Sequence, residues 1–224
     1  MNNSKFYSWF DSISPKLSLR RESFYKIFNY LDKMPDPIII VETVCLRIKN
    51  NFLDGQSTLL FDKYVQFRNK NAKVFTVDID PNATKICSEN VSKNVSIHTG
   101  DSIEYLKKLS EDFIFKKINA SLFYLDSFDC KWNALDESSK HHLKEFESIK
   151  NNLKKDTLLV VDDSPIVGYL QQSNTKNNAF DIIKPDLVPA PTISGKGSLV
   201  HQKAMQLGAK ILFSNYQTGW IGFN

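Results

Sequence analysis

Val74-Phe75-Thr76-Val77-Asp78-Ile79-Asp80-Pro81 is the stretch that decides the fold. A short apolar run closed by an acid reads as a strand covered on both faces of a parallel sheet. Asp80 then offers a helix N-cap, and Pro81 takes the first helical position, where a missing N–H costs nothing. Ala83, Ile86, Cys87 and Val91 follow as a buried helical stripe. Strand, acid and helix within eighteen residues, 74–91, make half of a βαβ unit.

The same pattern extends to both sides. Ile38-Ile39-Ile40-Val41, Val95-Ser96-Ile97, Leu122-Phe123-Tyr124-Leu125 and Leu158-Leu159-Val160-Val161 are further strand-like runs. Between them Ile103, Leu106 and Leu109 mark a helix that Asp101 or Ser102 caps, and Leu143, Phe146, Ile149 and Leu153 mark another. This regular alternation predicts an α/β domain with a Rossmann-like, doubly wound, mostly parallel sheet. A last helix over Leu199 to Leu207 precedes strand material from Lys210 to Phe223, expected as an antiparallel pair at the sheet edge.

Residues 1–35 are different, and they predict an N-terminal helical cap on a main domain spanning 36–224. Phe6, Trp9, Phe10, Ile13 and Leu17 recur at helical spacing, as do Phe24, Ile27, Phe28 and Leu31, with Pro15 marking a boundary. Such helices pack on the domain, cover a pocket or contact a second copy of the chain, which makes a homo-oligomer a candidate assembly. Residues 164–197 hold Pro165, Pro185, Pro189 and Pro191 among polar residues and read as an irregular insertion over the site.

Bulk properties exclude several classes. The 29 basic and 25 acidic residues are interspersed, so a net charge of +4 gives no basic patch for nucleic acid. Three scattered cysteines suit reduced thiols rather than a disulfide framework or a zinc site. With no membrane-length apolar stretch and no leader-like N-terminus, the chain is expected in the cytoplasm.

Ligands of open parallel sheets bind beyond the carboxyl ends of the strands, so the residues ending each run matter most. They are Glu42, Asp78, Asp126 and Asp162-Asp163, with Gly100-Asp101 shortly after the third run. Helix capping explains Asp80 and Asp101. It explains Glu42 and Asp126 poorly, and the adjacent Asp162 and Asp163 repel unless a cation or donor compensates. Acids gathered on one edge call for a ligand rich in hydroxyls or amines, a metal, or both. Asp78 suits the two hydroxyls of a ribose. The segment Asp54-Gly55-Gln56-Ser57-Thr58 opens a helix whose free N–H groups suit a carboxylate.

Taken together, these residues resemble the class I S-adenosylmethionine (SAM)-dependent methyltransferases over most of the chain from about residue 37. Glu42-Thr43-Val44-Cys45-Leu46-Arg47 is similar to the family's first motif, Val77-Asp78-Ile79-Asp80-Pro81 to its second, and Thr99-Gly100-Asp101-Ser102 to the segment bordering the adenine. The resemblance implies SAM as cofactor, held by Glu42, Gly55, Ser57, Thr58, Asp78, Asp101 and Ser102. One departure stands out: the first motif is usually glycine-rich, and Val44 occupies a glycine position, the nearest glycine being Gly55.

Within that class, Leu125-Asp126 and Val161-Asp162-Asp163 resemble the metal-dependent O-methyltransferases of the catechol and macrolide-sugar types. That likeness implies Mg2+ on Asp126, Asp162 and Asp163, and O-methylation of a small-molecule hydroxyl. Asp129 stands where catechol-type enzymes carry a lysine base, so Asp129, His141 and His142 are the candidate general bases. The family's amino-directed motif, Asn or Asp before Pro-Pro-aromatic, is absent, which argues against nucleic-acid amines. Tyr124, Phe128, Trp132, Tyr216 and Trp220 are candidates to line an acceptor pocket, with Gly195-Lys196-Gly197 beside it.

Two rivals remain. An NAD-dependent oxidoreductase would share the sheet and Asp78, but no Gly-x-Gly-x-x-Gly follows the first strand. A non-catalytic binding protein on the methyltransferase fold is favoured by the missing glycine and opposed by the retained acids.

Overall fold

The computed structural model describes residues 3–52, 56–68, 71–131, 134–166, 170–172, 180–182 and 193–224. Its centre is a seven-stranded sheet made of β1 (Ile39–Thr43), β2 (Lys73–Asp78), β3 (Val95–Thr99), β4 (Leu122–Leu125), β5 (Leu158–Val161), β8 (Lys210–Ser214) and β9 (Thr218–Ile221). The spatial order is β3-β2-β1-β4-β5-β9-β8. The first five strands are mutually parallel, and β9 runs antiparallel to both β5 and β8. The predicted antiparallel pair is therefore present, with β9 inside the sheet and β8 at its edge.

Alternation along the strands divides the core into two layers. Ile40, Leu122, Tyr124, Leu158 and Val160 face one side. Ile39, Val41, Phe123, Leu125, Leu159 and Val161 face the other, with Trp220 of β9. The second side is covered by α5 (Ser102–Lys116), α6 (Leu135–Ile149) and α7 (Ser198–Gln206). On the first side lie α1 (Ser4–Ile13), α2 (Arg21–Leu31) and α3 (Ser57–Arg68), with a 3-10 segment (Ser14–Arg20) joining α1 to α2 at Pro15. Helix α4 (Pro81–Asn90) starts as expected, its Asp80 side chain accepting from the Asn82 N–H.

The N-terminal helices are built into this core. Phe28 meets the rings of Phe6 at 4.7 Å, Tyr64 at 5.1 Å and Phe10 at 5.2 Å, and Phe24 stacks on Tyr124 of β4. These edge and offset contacts are the geometries that aromatic quadrupoles favour.

Strand register positions the site. Thr43 pairs with Val77 on one side and Leu125 on the other, and Leu125 pairs with Val161. The last residues of β1, β4 and β5 thus lie level, beside the end of β2, and the residues that follow emerge in one row.

β3, whose run Val95-Ser96-Ile97 is broken by a serine, is half-exposed because it is the edge strand. Helix α6 begins at Leu135, which places His141 and His142 mid-helix. Within 164–197, expected to be irregular, β6 (Leu170–Gln172) pairs antiparallel with β7 (Phe180–Ile182), and Ile166 bridges to Ile193. Most of the remaining insertion lies outside the described residues. No helix among the described residues is long and apolar enough to cross a membrane.

Because Phe28 joins the N-terminal helices to the sheet layer, Phe28→Ala is expected to cost about 3–5 kcal/mol. Urea unfolding should lose near- and far-ultraviolet dichroism together; separate early loss of helical signal would contradict a shared core.

Candidate functional site

Every strand that ends in the row delivers a polar side chain to one rim, and three deliver backbone strain as well. Val44 after β1 (φ 79°), Phe128 after β4 (φ 57°) and Asp163 after β5 (φ 42°) are all left-handed without being glycine. Such residues cost of order 1–3 kcal/mol each and cluster where a site over-determines the backbone. Val44, β-branched and buried, is the most strained type. It takes a conformation that glycine would adopt freely.

Two adjoining cavities open at this rim. The first, about 220 Å³, is lined by Val44, Asp78 and Ile79, by Gly100, Asp101 and Ser102, and by Phe128 and His141, among others. The second, about 110 Å³, is lined by Arg20, Asp126, Asp162, Asp163, Lys196 and Tyr216. Val44, Arg47 and Asp129 line both and mark the junction.

In the first cavity Asp78 is only 6% exposed, and its carboxylate is fixed by backbone donors. The Cys45 N–H donates to Oδ2 at 3.3 Å and the Asp80 N–H to Oδ1 at 2.9 Å, while Arg47 Nε lies 3.7 Å from Oδ2. Ile79 beside it is 73% exposed, an apolar surface open to the cavity. Across from it Phe128, 44% exposed, stacks on the His141 ring at 5.1 Å and 24°. His141 Nε2 lies 3.1 Å from Ser102 Oγ and 3.5 Å from Glu145 Oε1. Asp101 caps α5 by accepting from the Glu104 N–H.

Glu42, Ser57 and Thr58 sit behind this wall, all buried. Thr58 Oγ1 donates to Glu42 Oε2 at 2.7 Å. Burial pushes the Glu42 carboxyl well above its usual range, although the Ser57 and Thr58 hydroxyls pull the other way. Its Oε1 has no hydrogen-bond partner among the described residues. The Thr58 hydroxyl is thus turned to Glu42, and Gly55 lies outside the described residues.

The second cavity brings Asp126, Asp162 and Asp163 together, as the sequence suggests, but around cations of the chain itself. Lys196 Nζ donates to Asp126 Oδ1 at 2.8 Å and to the Asp126 carbonyl at 3.0 Å, and lies 3.0 Å from Asp163 Oδ2. Burial pulls the lysine pKa down, but Asp126, Asp163 and Asp162 outweigh it and raise it above its ordinary value. Arg20 Nη1 donates to Asp162 Oδ2 at 3.3 Å, and Tyr124 OH to the same oxygen at 3.0 Å. Asp162 Oδ1 accepts from the Asp163 N–H at 2.8 Å, and Tyr216 OH donates to Asp163 Oδ1. Burial raises the Asp162 carboxyl, but Arg20, Lys196 and these donors win and hold it below its usual range. For Asp126, burial and the two neighbouring acids win over Lys196, and its pKa is raised.

The donor set therefore does not fit the Mg2+ implied by the family likeness. Both oxygens of Asp162 and of Asp163 are already committed, and an ammonium lies between Asp126 and Asp163. No group of three or more metal-ligating side chains is arranged to hold an ion among the described residues.

The candidate bases separate. Asp129 is 87% exposed at the junction, 3.8 Å from Arg47 Nη1. His141 lines the first cavity beneath Phe128, away from the acids. His142 lines neither cavity. It is fully buried, with Nδ1 2.7 Å from the Ser138 carbonyl and Nε2 3.8 Å from Glu145 Oε2, so it cannot reach a ligand. Of the aromatic candidates, Tyr124 and Trp220 are core, Tyr216 faces the acids, Phe128 faces the first cavity, and Trp132 lies outside the described residues.

Arg20 and Arg47 were not anticipated, nor was the role of Lys196 as a buried cation. Arg20 carried a signal: it falls on the stripe Leu17, Phe24, Ile27, a charge on a buried face. Lys196 carried a weaker one in its flanking glycines. A Cβ on Gly197 would approach Ser164 Cβ to 2.6 Å, so only glycine lets that turn press against the end of β5 and drive Lys196 inward.

No protein-family model matches the sequence, and no curated protein matches it. Among solved structures the chain is similar to a DhpI–SAH complex, with 9% identity and a TM-score of 0.44, covering 99% of this chain and 89% of that one. It is also similar to the glycopeptide N-methyltransferase MtfA, with 6% identity and a TM-score of 0.45, covering 88% and 90%. A structure described as a pericyclic reaction enzyme shares 7% identity at a TM-score of 0.45, covering 97% and 55%. At such identities and scores the fold assignment rests on this chain's own strand order.

Burial lowers the His142 pKa from 6.5 to about 4, outweighing the pull of Glu145. The unfolded chain therefore binds more protons between those values, and stability is expected to fall as pH drops from 6.5 toward 4. Urea midpoints across that window should fall less steeply in His142→Gln; an unchanged slope would relocate the effect.

Proposed function

We propose that the chain is a SAM-dependent methyltransferase acting on an oxygen of a small, polar acceptor. One observation carries the reading: the anchored carboxylate of Asp78 at the end of β2, in a cleft that opens into a second, acid-lined cavity. A carboxylate held by two backbone N–H groups accepts from a vicinal diol without reorganising. Ile79 and the Phe128–His141 pair offer flat apolar walls for a nucleobase, and Asp101 and Ser102 offer polar contacts at its edge.

The sheet also favours one nucleoside over two. A dinucleotide fold repeats its mononucleotide half through a parallel sixth strand. Here antiparallel β9 takes that place, so a second half is not formed.

When bound, SAM would supply an electrophilic methyl group on its sulfonium. The work of the chain's residues is to position and deprotonate the acceptor. Asp126 is suited to that: Oδ1 is held by Lys196, while Oδ2 accepts no hydrogen bond from the described residues, and the side chain lines the second cavity. Its raised pKa makes it a stronger base than an ordinary aspartate. The nearly all-polar lining of that cavity, with four carboxylates and three cations, favours a hydrophilic acceptor over an aromatic one. Mg2+ has no part in this reading.

Val44 favours a second reading, a non-catalytic binder, because its side chain stands at the junction of the two cavities. Binding and turnover separate the two.

In calorimetric titration SAM should bind and NAD should not, and Asp78→Ala should weaken SAM about 10–100-fold; absence of SAM binding to the native chain would end the proposal. Asp126→Asn should cut turnover about 10²–10⁴-fold while sparing SAM affinity, and should remove the rise of the rate with pH. An unaltered pH profile would exclude Asp126 as the base.

A further inference from the structure

We infer that Lys196 is a tethered cation, occupying the position that a divalent ion would take between Asp126 and Asp163. Removing its side chain should turn this rim into a divalent-ion site.

The argument begins with saturation. The ammonium has three protons and three oxygens within 3.0 Å, namely Asp126 Oδ1, the Asp126 carbonyl and Asp163 Oδ2. It therefore has no proton left to give a ligand, and its role is positional and electrostatic. Its partners are hard oxygen donors of the kind Mg2+ and Mn2+ select. Bringing them from ammonium distances to the ~2.0–2.1 Å of a Mg2+ site needs an inward shift of only about 1 Å per ligand.

Charge leads to the same conclusion. Lys196 is 3% exposed in its side chain, and Arg20 is the other buried cation among Asp126, Asp162 and Asp163. Without the lysine, three clustered carboxylates face one guanidinium. A lost buried partner is strongly destabilising, because the remaining charge is left uncompensated. A divalent ion would restore the balance. Its entry route is the adjoining cavity of about 110 Å³, which Lys196 itself lines.

The sequence order explains how a lysine comes to do this. Gly195 takes a positive φ, and Gly197 presses against Ser164, so the turn before α7 lies directly over the end of β5. The Lys196 N–H donates to the Asp163 carbonyl, which locks the stem of the side chain above the acids. Lys196 is thus a positioning residue that holds one oxygen of Asp126 and leaves the other toward the cavity. The ion-binding claim stands apart from the proposed methyl transfer; only its corollary, turnover that resists chelators, rests on that reading.

The test uses the full chain, stripped with EDTA and titrated with Mn2+, free ion being followed by electron paramagnetic resonance and stability by thermal melting. Lys196→Ala should bind one Mn2+ at least about tenfold more tightly than the native chain. Its melting temperature should be lowered in EDTA and recover with Mn2+ or Mg2+. Adding Asp163→Asn should abolish both effects. Should Lys196→Ala not fold in EDTA, folding on addition of Mn2+ supports the inference. Lys196→Gln, which keeps much of the packing without the charge, provides the same comparison. A folded variant with no gain in affinity, failure of the ion to rescue either variant, or equally tight Mn2+ binding by the native chain would each overturn it. None of these readouts involves SAM or an acceptor, so loss of the methyltransferase reading leaves them intact.

Discussion

Three carboxylates and two cations, buried or half-buried together at one end of a sheet, set the terms for the rest of this molecule. Transferring such charges out of water costs several kcal/mol per ion, and only close, fully hydrogen-bonded partners offset it. The partners come from opposite ends of the chain. Arg20 arrives on the 3-10 segment of the N-terminal helices and Lys196 on the turn before the last helix. The aromatic packing that holds α1 and α2 against the sheet therefore has a consequence at the rim: it delivers the guanidinium that Asp162 requires.

The register of the parallel strands makes that meeting possible. Because β1, β4 and β5 end level, the residues that follow them form a row and not a staircase. Along this row the chain accepts left-handed backbone at Val44, Phe128 and Asp163. The strain falls where each strand must turn its next side chain into a cavity. Rigid strands carry the geometry, and the tight turns after them carry the chemistry.

Much of the fold was legible because its signals are local. A continuous apolar run ended by an acid, then a cap and a proline, specifies strand and helix within one window, as at Val74 to Pro81. Placement beyond the strand ends put Glu42, Asp78, Asp126 and Asp162-Asp163 on one edge; there Asp78, Asp101 and Ser102 line one cavity, and Asp126, Asp162 and Asp163 line another. What the residues could not reveal was non-local. Nothing near Asp126 announces a lysine seventy positions later, so the acids looked like ligands awaiting a metal. His141 and His142 looked equivalent as neighbours. Yet a helix turns adjacent residues about 100° apart, which aims one ring into the cavity and the other into the core.

The place of Lys196 in the chain also bears on biosynthesis. A ribosome releases Asp126 and the Asp162-Asp163 pair well before residue 196, so a nascent chain carries those acids with Arg20 as their sole counter-ion among the buried cations described. Until the segment carrying residue 196 emerges, the rim has reason to stay hydrated. Docking of α7 and the β8–β9 hairpin then doubles as electrostatic completion of the cavity.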